Sequence, residues 1–174
     1  MIVREATLQD IPTIARVHVD SWQTTYRGIV PDEYLARLTY EHRTQRWHQL
    51  FSRAVQDKHF TYVAEHDSAG VVGFANGGME RSGDRVYTGE LMAIYLLQGH
   101  QRQRLGYRLT QTVAQRLHQL GINSMLTWVL VDNPACQFYA ALGGKPVREQ
   151  TLEVGDQSFI EVAYGWRDTA DLRG

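Results

Sequence analysis

Residues 90–120 read ELMAIYLLQGHQRQRLGYRLTQTVAQRLHQL. The stretch begins with an apolar run typical of a buried strand, continues through a polar loop and ends in a segment with helical periodicity. The first N–H groups of a helix have no acceptors within the helix, and the helix dipole adds partial positive charge at the same end. A strand, a loop and a helix start in this order therefore predict a site for an anion such as phosphate.

The loop differs from two familiar phosphate-binding loops. No Gly-Lys pair is followed by Ser or Thr, so the GxxxxGK[ST] signature is absent, and GxGxxG is absent as well. Residues 101–106, QRQRLG, resemble instead the Q/R-x-x-G-x-G/A loop of the GCN5-related N-acetyltransferase family, which holds the pyrophosphate of coenzyme A. Gln101 and Gly106 match the first and last positions of that loop.

Arg104 stands where the family loop has its middle glycine. If this position needs a left-handed backbone, a non-glycine residue costs roughly 1–2 kcal/mol there. Pairing of the guanidinium with a phosphate would offset that cost. Taken without the rest of the chain, the loop also fits an Arg-rich, solvated helix start.

A second motif supports the resemblance. Residues 128–144 read WVLVDNPACQFYAALGG and are similar to the strand-loop-helix pattern of the same family. The matching positions are Asn133, Ala135, Phe138, Tyr139, Leu142 and Gly143. Asn133 followed by Pro134 is also a good helix start on its own, with Asn133 as the cap and proline at the first helical position.

The order of elements agrees with the same family over the whole chain. Periodicity and turn residues predict one domain, residues 1–174, with the order β, three helices, βββ, α, β, α, ββ. The fold class is α/β, a mixed central sheet flanked by helices. The strands before and after the helix at 105–120 are expected to be parallel, and the family implies that they splay at the acyl-CoA site. Strands are predicted at 2–5, 60–65, 71–77, 86–97, 124–131, 145–154 and 157–166, and helices at 11–26, 32–38, 40–51, 105–120 and 134–142.

Composition narrows the class of protein. The chain has 174 residues, 43% of them apolar and 21% charged, as in an ordinary globular domain. The formal net charge of −1 does not indicate the positively charged surface that binding to nucleic acid requires. No apolar run is long enough for a bilayer, and the first residues do not resemble a signal peptide, so we expect a cytoplasmic protein with no membrane partner. Cys136 is the single cysteine, and no metal site is expected.

The resemblance implies an enzyme that transfers the acetyl group of acetyl-CoA to a primary amine in a ternary complex. Tyr139 matches the general acid of the family, which assists the departing thiolate, although a phenol with an ordinary pKa of about 10 needs local help to do so. If the motif is left aside, the sequence predicts that Tyr139 is an aromatic residue of the core. Glu90 matches a glutamate that takes the amine proton in some members, often through water; the alternative for Glu90 is a solvated strand end.

The resemblance also assigns the cofactor contacts. The pantetheine arm would lie along the strand and bond the backbone of Ile94, Tyr95 and Leu96. Asn133 would contact the same arm. The pyrophosphate would lie in the loop formed by Gln101, Arg102, Gln103, Arg104, Leu105 and Gly106.

The acceptor is less defined by the sequence. Trp22 and Tyr26 share a helix face and are candidates for substrate contact, with core packing as the alternative for Trp22. Glu153 and Glu161 of the closing hairpin could attract a cationic amine or could equally face solvent. We expect a small-molecule amine; a protein N-terminus or lysine is the alternative substrate, and a non-catalytic acyl-CoA-binding or sensing module is the alternative class. Dimers are common among proteins of this kind, so a homodimer is an open alternative.

Overall fold

A single seven-stranded sheet organises the protein. The computed structural model describes residues 1–172, and the strand order is β1-β2-β3-β4-β5-β7-β6. All neighbouring strands are antiparallel except β4 and β5, which are parallel as predicted. The strands are β1 Ile2–Glu5, β2 Phe60–His66, β3 Gly70–Met79, β4 Gly89–Leu96, β5 Met125–Leu130, β6 Lys145–Val154 and β7 Gln157–Trp166.

In the part of the chain that the structure describes, five α-helices flank the sheet, which confirms the predicted fold class. They are α1 Ile11–Thr25, α2 Asp32–Ala36, α3 Tyr40–Asp57, α4 Leu105–Gln119 and α5 Ala135–Ala141. Helix α3 continues beyond the predicted end at residue 51 and closes on Lys58, whose φ of 52° is left-handed. In residues 1–172, no helix has both the length and the apolar character that crossing a bilayer requires.

Strand β4 begins later than predicted. Residues 86–88 were expected in the strand, but Asp84 Oδ1 accepts hydrogen bonds from the backbone N–H groups of Val86 and Tyr87 at 2.7 and 2.8 Å. Such side-chain acceptors compete with strand pairing and favour a turn. The first ladder residue is therefore Gly89.

The two faces of the sheet are buried by different helices. Leu105, Leu109, Val113 and Leu117 lie along one stripe of α4 and are almost fully buried in the cluster that covers one face. On the opposite face, α1 and α3 pack around Phe74 and Trp47. The four residues of α4 are spaced four apart, which places their side chains on one side of the helix.

The parallel pair opens soon after it begins. Strands β4 and β5 are in register only at Gly89 with Met125 and at Glu90 with Leu126. On its other side, β4 pairs Leu91 with Gly77 and Ala93 with Asn76 of β3, which leaves Met92 as an extra residue, a β-bulge. A bulge bends its strand and redirects the following side chains. Beyond Glu90, β4 thus turns away from β5 and leaves a gap in the sheet.

Candidate active site

A cleft of about 660 Å³ lies in the gap between the two parallel strands. We call it the β4–β5 cleft; the starts of α4 and α5 close its ends. Most of the predicted cofactor residues line it, although they are separated in the sequence. They are Ile94, Tyr95, Leu96, Gln101, Arg102, Arg104, Gly106 and Asn133.

The loop before α4 has a strained backbone. Arg102 has a φ of 58° and Arg104 a φ of 61°, both in the left-handed region that favours glycine. The condition stated for Arg104 is met: this non-glycine residue takes the left-handed conformation, directly before the first residue of α4. Its guanidinium lies 5.7 Å from the centre of the Tyr107 ring, a cation–π distance. Two exposed guanidiniums and a helix start thus border one end of the cleft.

Two of the predicted loop residues do not line the cleft. Leu105 is 1% exposed and belongs to the core beneath α4. Gln103 is exposed, and its side chain donates to Gly99 O at 3.4 Å. Leucine and glutamine at these positions follow the ordinary pattern of a helix start, with one residue packed and one solvated.

Gly106 allows α4 to approach α5 closely. A Cβ atom at this position would lie 3.1 Å from Cζ of Phe138, and Phe138 lines the cleft as well. Any larger residue would push the Phe138 ring or narrow the cleft. The two sequence motifs therefore meet in space at this contact.

Tyr139 lies in the floor of the same cleft. It is 6% exposed, and its ring centroid is 5.3 Å from that of Phe138. Burial raises the pKa of the Tyr139 phenol well above its ordinary value, with the neighbouring Tyr26 as a further cause and the Thr127 hydroxyl opposing. The hydroxyl therefore stays protonated at neutral pH. Tyr139 is part of the core, as the alternative held, and it also reaches the cleft.

Asn133 lies at the start of α5 and faces the cleft. Its Oδ1 accepts a hydrogen bond from the N–H of Ala135 at 2.9 Å, so the side chain satisfies a donor at the start of α5. The residue is 6% exposed and also lines the β4–β5 cleft. The helix itself starts at Ala135, one residue later than the proline rule predicts.

A second cleft, of about 450 Å³, opens next to the first. We call it the hairpin cleft because residues of β6 and β7 form one wall. Glu90 lines it and is 2% exposed, so the alternative of a solvated strand end is wrong. The carboxylate accepts hydrogen bonds from Arg81 Nε at 3.0 Å and Nη2 at 2.6 Å. Glu90 is thus held in place by a two-point ion pair.

The candidate substrate residues line the same cleft. The rings of Trp22 and Tyr26 are 4.4 Å apart, and both line the hairpin cleft. The Tyr26 and Tyr95 hydroxyl oxygens are 3.4 Å apart. Tyr26 and Tyr95 also line the β4–β5 cleft, together with Met92, Trp128 and Val129. The two clefts therefore meet at the bulge of β4.

Comparisons with known proteins identify the family and the fold. Residues 72–153 match the model of the FR47-like protein family. YuaI, an uncharacterized N-acetyltransferase of Bacillus subtilis (strain 168), is 42% identical over 171 residues, which are 98% of this chain and 95% of the relative. The chain belongs to the GCN5-related N-acetyltransferase family. The resemblance drawn from the loop and from residues 128–144 is thereby confirmed, as is the prediction of an N-acetyltransferase.

Solved structures of other N-acetyltransferases have the same fold. The PaiA N-acetyltransferase of Thermoplasma acidophilum, in complex with coenzyme A, superposes with a TM-score of 0.70 at 20% identity, over 92% of this chain and 96% of that one. YncA of Salmonella typhimurium, a putative acetyltransferase with its cofactor acetyl-CoA, gives a TM-score of 0.71 at 17% identity, over 97% and 94% of the two chains. At such identities the likeness concerns the fold.

Several residues of this acetyltransferase site could not be singled out from the sequence. Met92 looks like one more apolar strand residue, and its place in the bulge depends on pairing with β3. Arg81 lies in a turn, and nothing in its surroundings predicts an ion pair with Glu90. Trp128 was identified only as a strand residue, yet it lines both clefts.

Proposed function

We propose that this N-acetyltransferase moves the acetyl group of acetyl-CoA to a primary amine of a small molecule, by direct attack in a ternary complex. The observation that carries the proposal is the meeting of two clefts at the β4 bulge, one lined by the predicted cofactor residues and one lined by Glu90. A donor and an acceptor can then approach each other from opposite sides of the strand.

Acetyl-CoA as acyl donor agrees with the β4–β5 cleft. The splayed strands leave backbone groups of β4 beyond Leu91 without a partner on β5, and an extended pantetheine arm can bond them as an added strand would. Arg102, Arg104 and the N–H groups at the start of α4 suit a pyrophosphate. Coenzyme A or acetyl-CoA is bound in the solved PaiA and YncA structures, which supports the same donor here.

The proposed chemistry needs three groups. The amine lone pair attacks the thioester carbonyl carbon, a C–N bond forms, and the C–S bond breaks. Backbone amides next to the bulge at Met92 would polarise the carbonyl oxygen. The Tyr139 hydroxyl would donate to the departing sulfur; its raised pKa keeps the proton available, and the hydrogen bond itself stabilises the thiolate.

The amine proton would leave through Glu90 or a water molecule beside it. Each carboxylate oxygen has two lone-pair directions, so the two bonds from Arg81 leave acceptor capacity on Glu90. Glu90 lies in the wall of the hairpin cleft, which is the side from which we expect the amine. Glu90 and Tyr139 therefore act from different clefts on the same reacting centre.

A small acceptor is favoured over a protein N-terminus or lysine by the hairpin cleft. Its volume of about 450 Å³ is in the range of small-molecule sites. A peptide would need an extended groove, whereas the β6–β7 hairpin and the Trp22 side chain border this cleft. The cytoplasmic location and the homodimer stay predictions.

Calorimetric titration with acetyl-CoA is the first test, with CoA and dephospho-CoA in parallel. We expect micromolar binding of acetyl-CoA, and then thiol release when primary amines are added. Binding without thiol release from any amine or peptide would favour the non-catalytic sensing module. An absence of binding would refute the proposed donor and with it the proposed function.

A further inference from the structure

We infer that the acceptor of this enzyme carries a second positive charge, as an alkyl diamine does, and that Glu161 binds it at the far side of the hairpin cleft. The inference rests on the proposed function. It assigns to the same site a substrate class and a residue that selects it.

The first argument is the charge balance of the hairpin cleft. Its charged lining residues are Glu80, Arg81, Glu90 and Glu161. Arg81 is paired with Glu90 at 2.6 Å. The Glu80 side chain accepts from the N–H of Asp84 at 2.8 Å and lies 3.8 Å from Arg148 Nη2.

Among the charged residues that line the cleft, Glu161 is the one outside these pairs. Its carboxylate accepts one hydrogen bond, from Gln150 Nε2 at 2.5 Å, and none of the ion pairs formed within residues 1–172 includes it. The residue is only 8% exposed, and it lines the cleft. A buried carboxylate without a cation is unfavourable, and a bound ammonium group would supply the missing partner.

Aromatic rings in the lining of the hairpin cleft give a second, independent argument. Trp22, Tyr26, Tyr95 and Trp128 all line the same cleft. Ring faces attract ammonium groups, most strongly where water is displaced. A lining of this composition, together with a carboxylate, suits organic cations and is unfavourable for anionic substrates.

The arrangement also separates the two ends of the substrate. Glu90 lies on β4 next to the bulge where the clefts meet, whereas Glu161 lies on β7, with Leu152 and Val154 of β6 on the same wall. Apolar side chains there suit the methylene groups of an alkyl chain. One amine would react near the bulge while the other remains protonated at Glu161.

The test compares three acceptors of equal chain length: 1,4-diaminobutane, butylamine and 4-aminobutanoate. At the end opposite the reacting amine, these molecules are positively charged, neutral and negatively charged, respectively. We expect kcat/KM to be at least about tenfold higher for the diamine than for butylamine, the ratio that one charge-assisted hydrogen bond provides, and lowest for the amino acid. Equal values for the diamine and butylamine, or a preference for the amino acid, would overturn the inference while leaving the acetyltransferase activity established.

Glu161→Gln then tests the residue. Glutamine keeps an oxygen for Gln150 but has no charge, so kcat/KM should fall at least about tenfold for the diamine and stay within about twofold for butylamine. The matched control is Glu149→Gln, which removes an exposed charge from β6. An equal loss with both acceptors would show a catalytic or structural contribution of Glu161 instead. The ranking in the unmodified enzyme tests the charge selectivity even if Glu161→Gln does not fold.

Discussion

Arg81 and Glu90 form a two-point ion pair, with Nε and Nη2 of the guanidinium 3.0 and 2.6 Å from the two carboxylate oxygens. The partners differ in exposure, because the Arg81 side chain is 59% exposed and that of Glu90 only 2%. Arg81 therefore stabilises the charge of a carboxylate that water hardly reaches. This pair fixes Glu90 in the lining of the hairpin cleft.

Glu90→Gln should lower kcat by about 10²–10⁴-fold if the carboxylate takes the amine proton, the usual contribution of a general base. The affinity for acetyl-CoA should not change, because Glu90 does not line the β4–β5 cleft. Steady-state kinetics and calorimetry measure the two effects. Arg81→Gln should reduce the free energy of unfolding by about 3 kcal/mol, because it leaves the buried Glu90 carboxylate without its partner. Unchanged kcat in Glu90→Gln would leave water alone as the proton relay.

Tyr139→Phe should lower kcat by about tenfold or more, because the thiolate would lose its hydrogen-bond donor. The ring remains, so acetyl-CoA affinity and stability should change little. Tyr164→Phe is a matched control, since that ring lies 6.0 Å from Tyr139 and outside the cleft lining. Burial raises the pKa of Tyr139, so its hydroxyl should not titrate between pH 8 and 10. Any activity that the unmodified enzyme loses over this pH range should therefore also be lost by Tyr139→Phe. Turnover equal to that of the unmodified enzyme would exclude Tyr139 from the chemistry.

Arg104→Gly should separate backbone strain from phosphate binding. Glycine relieves the left-handed conformation but loses more entropy on folding, so we expect a gain in stability of up to about 1 kcal/mol. Loss of the guanidinium should weaken acetyl-CoA binding by about tenfold. Lys58→Gly is the control, because Lys58 has a similar φ of 52° at the end of α3 and does not line the cleft. Similar affinity in both variants would show that Arg104 does not bind the phosphates.

The sequence was sufficient for the fold wherever local signals coincide with the final structure. Strand β1 and the strands of the closing hairpin begin and end at the predicted residues. Apolar spacing predicted α4 to within one residue of its end. The late start of β4 was missed because it depends on Asp84 bonding two backbone N–H groups, a choice that residue types alone do not reveal.

The residues of the site also differ in whether local sequence signals predict them. Gln101, Gly106, Asn133 and Tyr139 lie within motifs, so they could be predicted and do line one cleft. The bulge at Met92 and the ion pair of Glu90 arise from contacts between distant segments, and no periodicity predicts them. For the same reason the exposure of Glu161 remained open until its strand could be paired.

His18 should make the stability of the protein sensitive to acid. Its ring stacks on Tyr95 with a centroid distance of 5.0 Å, and its Nδ1 accepts a hydrogen bond from Trp47 Nε1 at 3.3 Å, which requires a neutral imidazole. Burial, followed by the charges of Arg43 and Arg46, lowers the pKa of His18 to about 3. The unfolded chain, with a histidine pKa of about 6.5, binds this proton more readily.

The free energy of unfolding should therefore fall as the pH drops from about 6.5 towards 3, by about 1.4 kcal/mol per pH unit from His18 alone. Above pH 6.5 the residue is neutral in both states and has no effect. His18→Gln cannot titrate, so between pH 7 and 5 it should lose about 2 kcal/mol less stability than the unmodified protein. Asp10, whose pKa is lowered to about 2 by Arg4, affects both proteins equally and only at lower pH. Urea denaturation at both pH values measures the difference, and equal losses in the two proteins would show that His18 takes up its proton in the folded state.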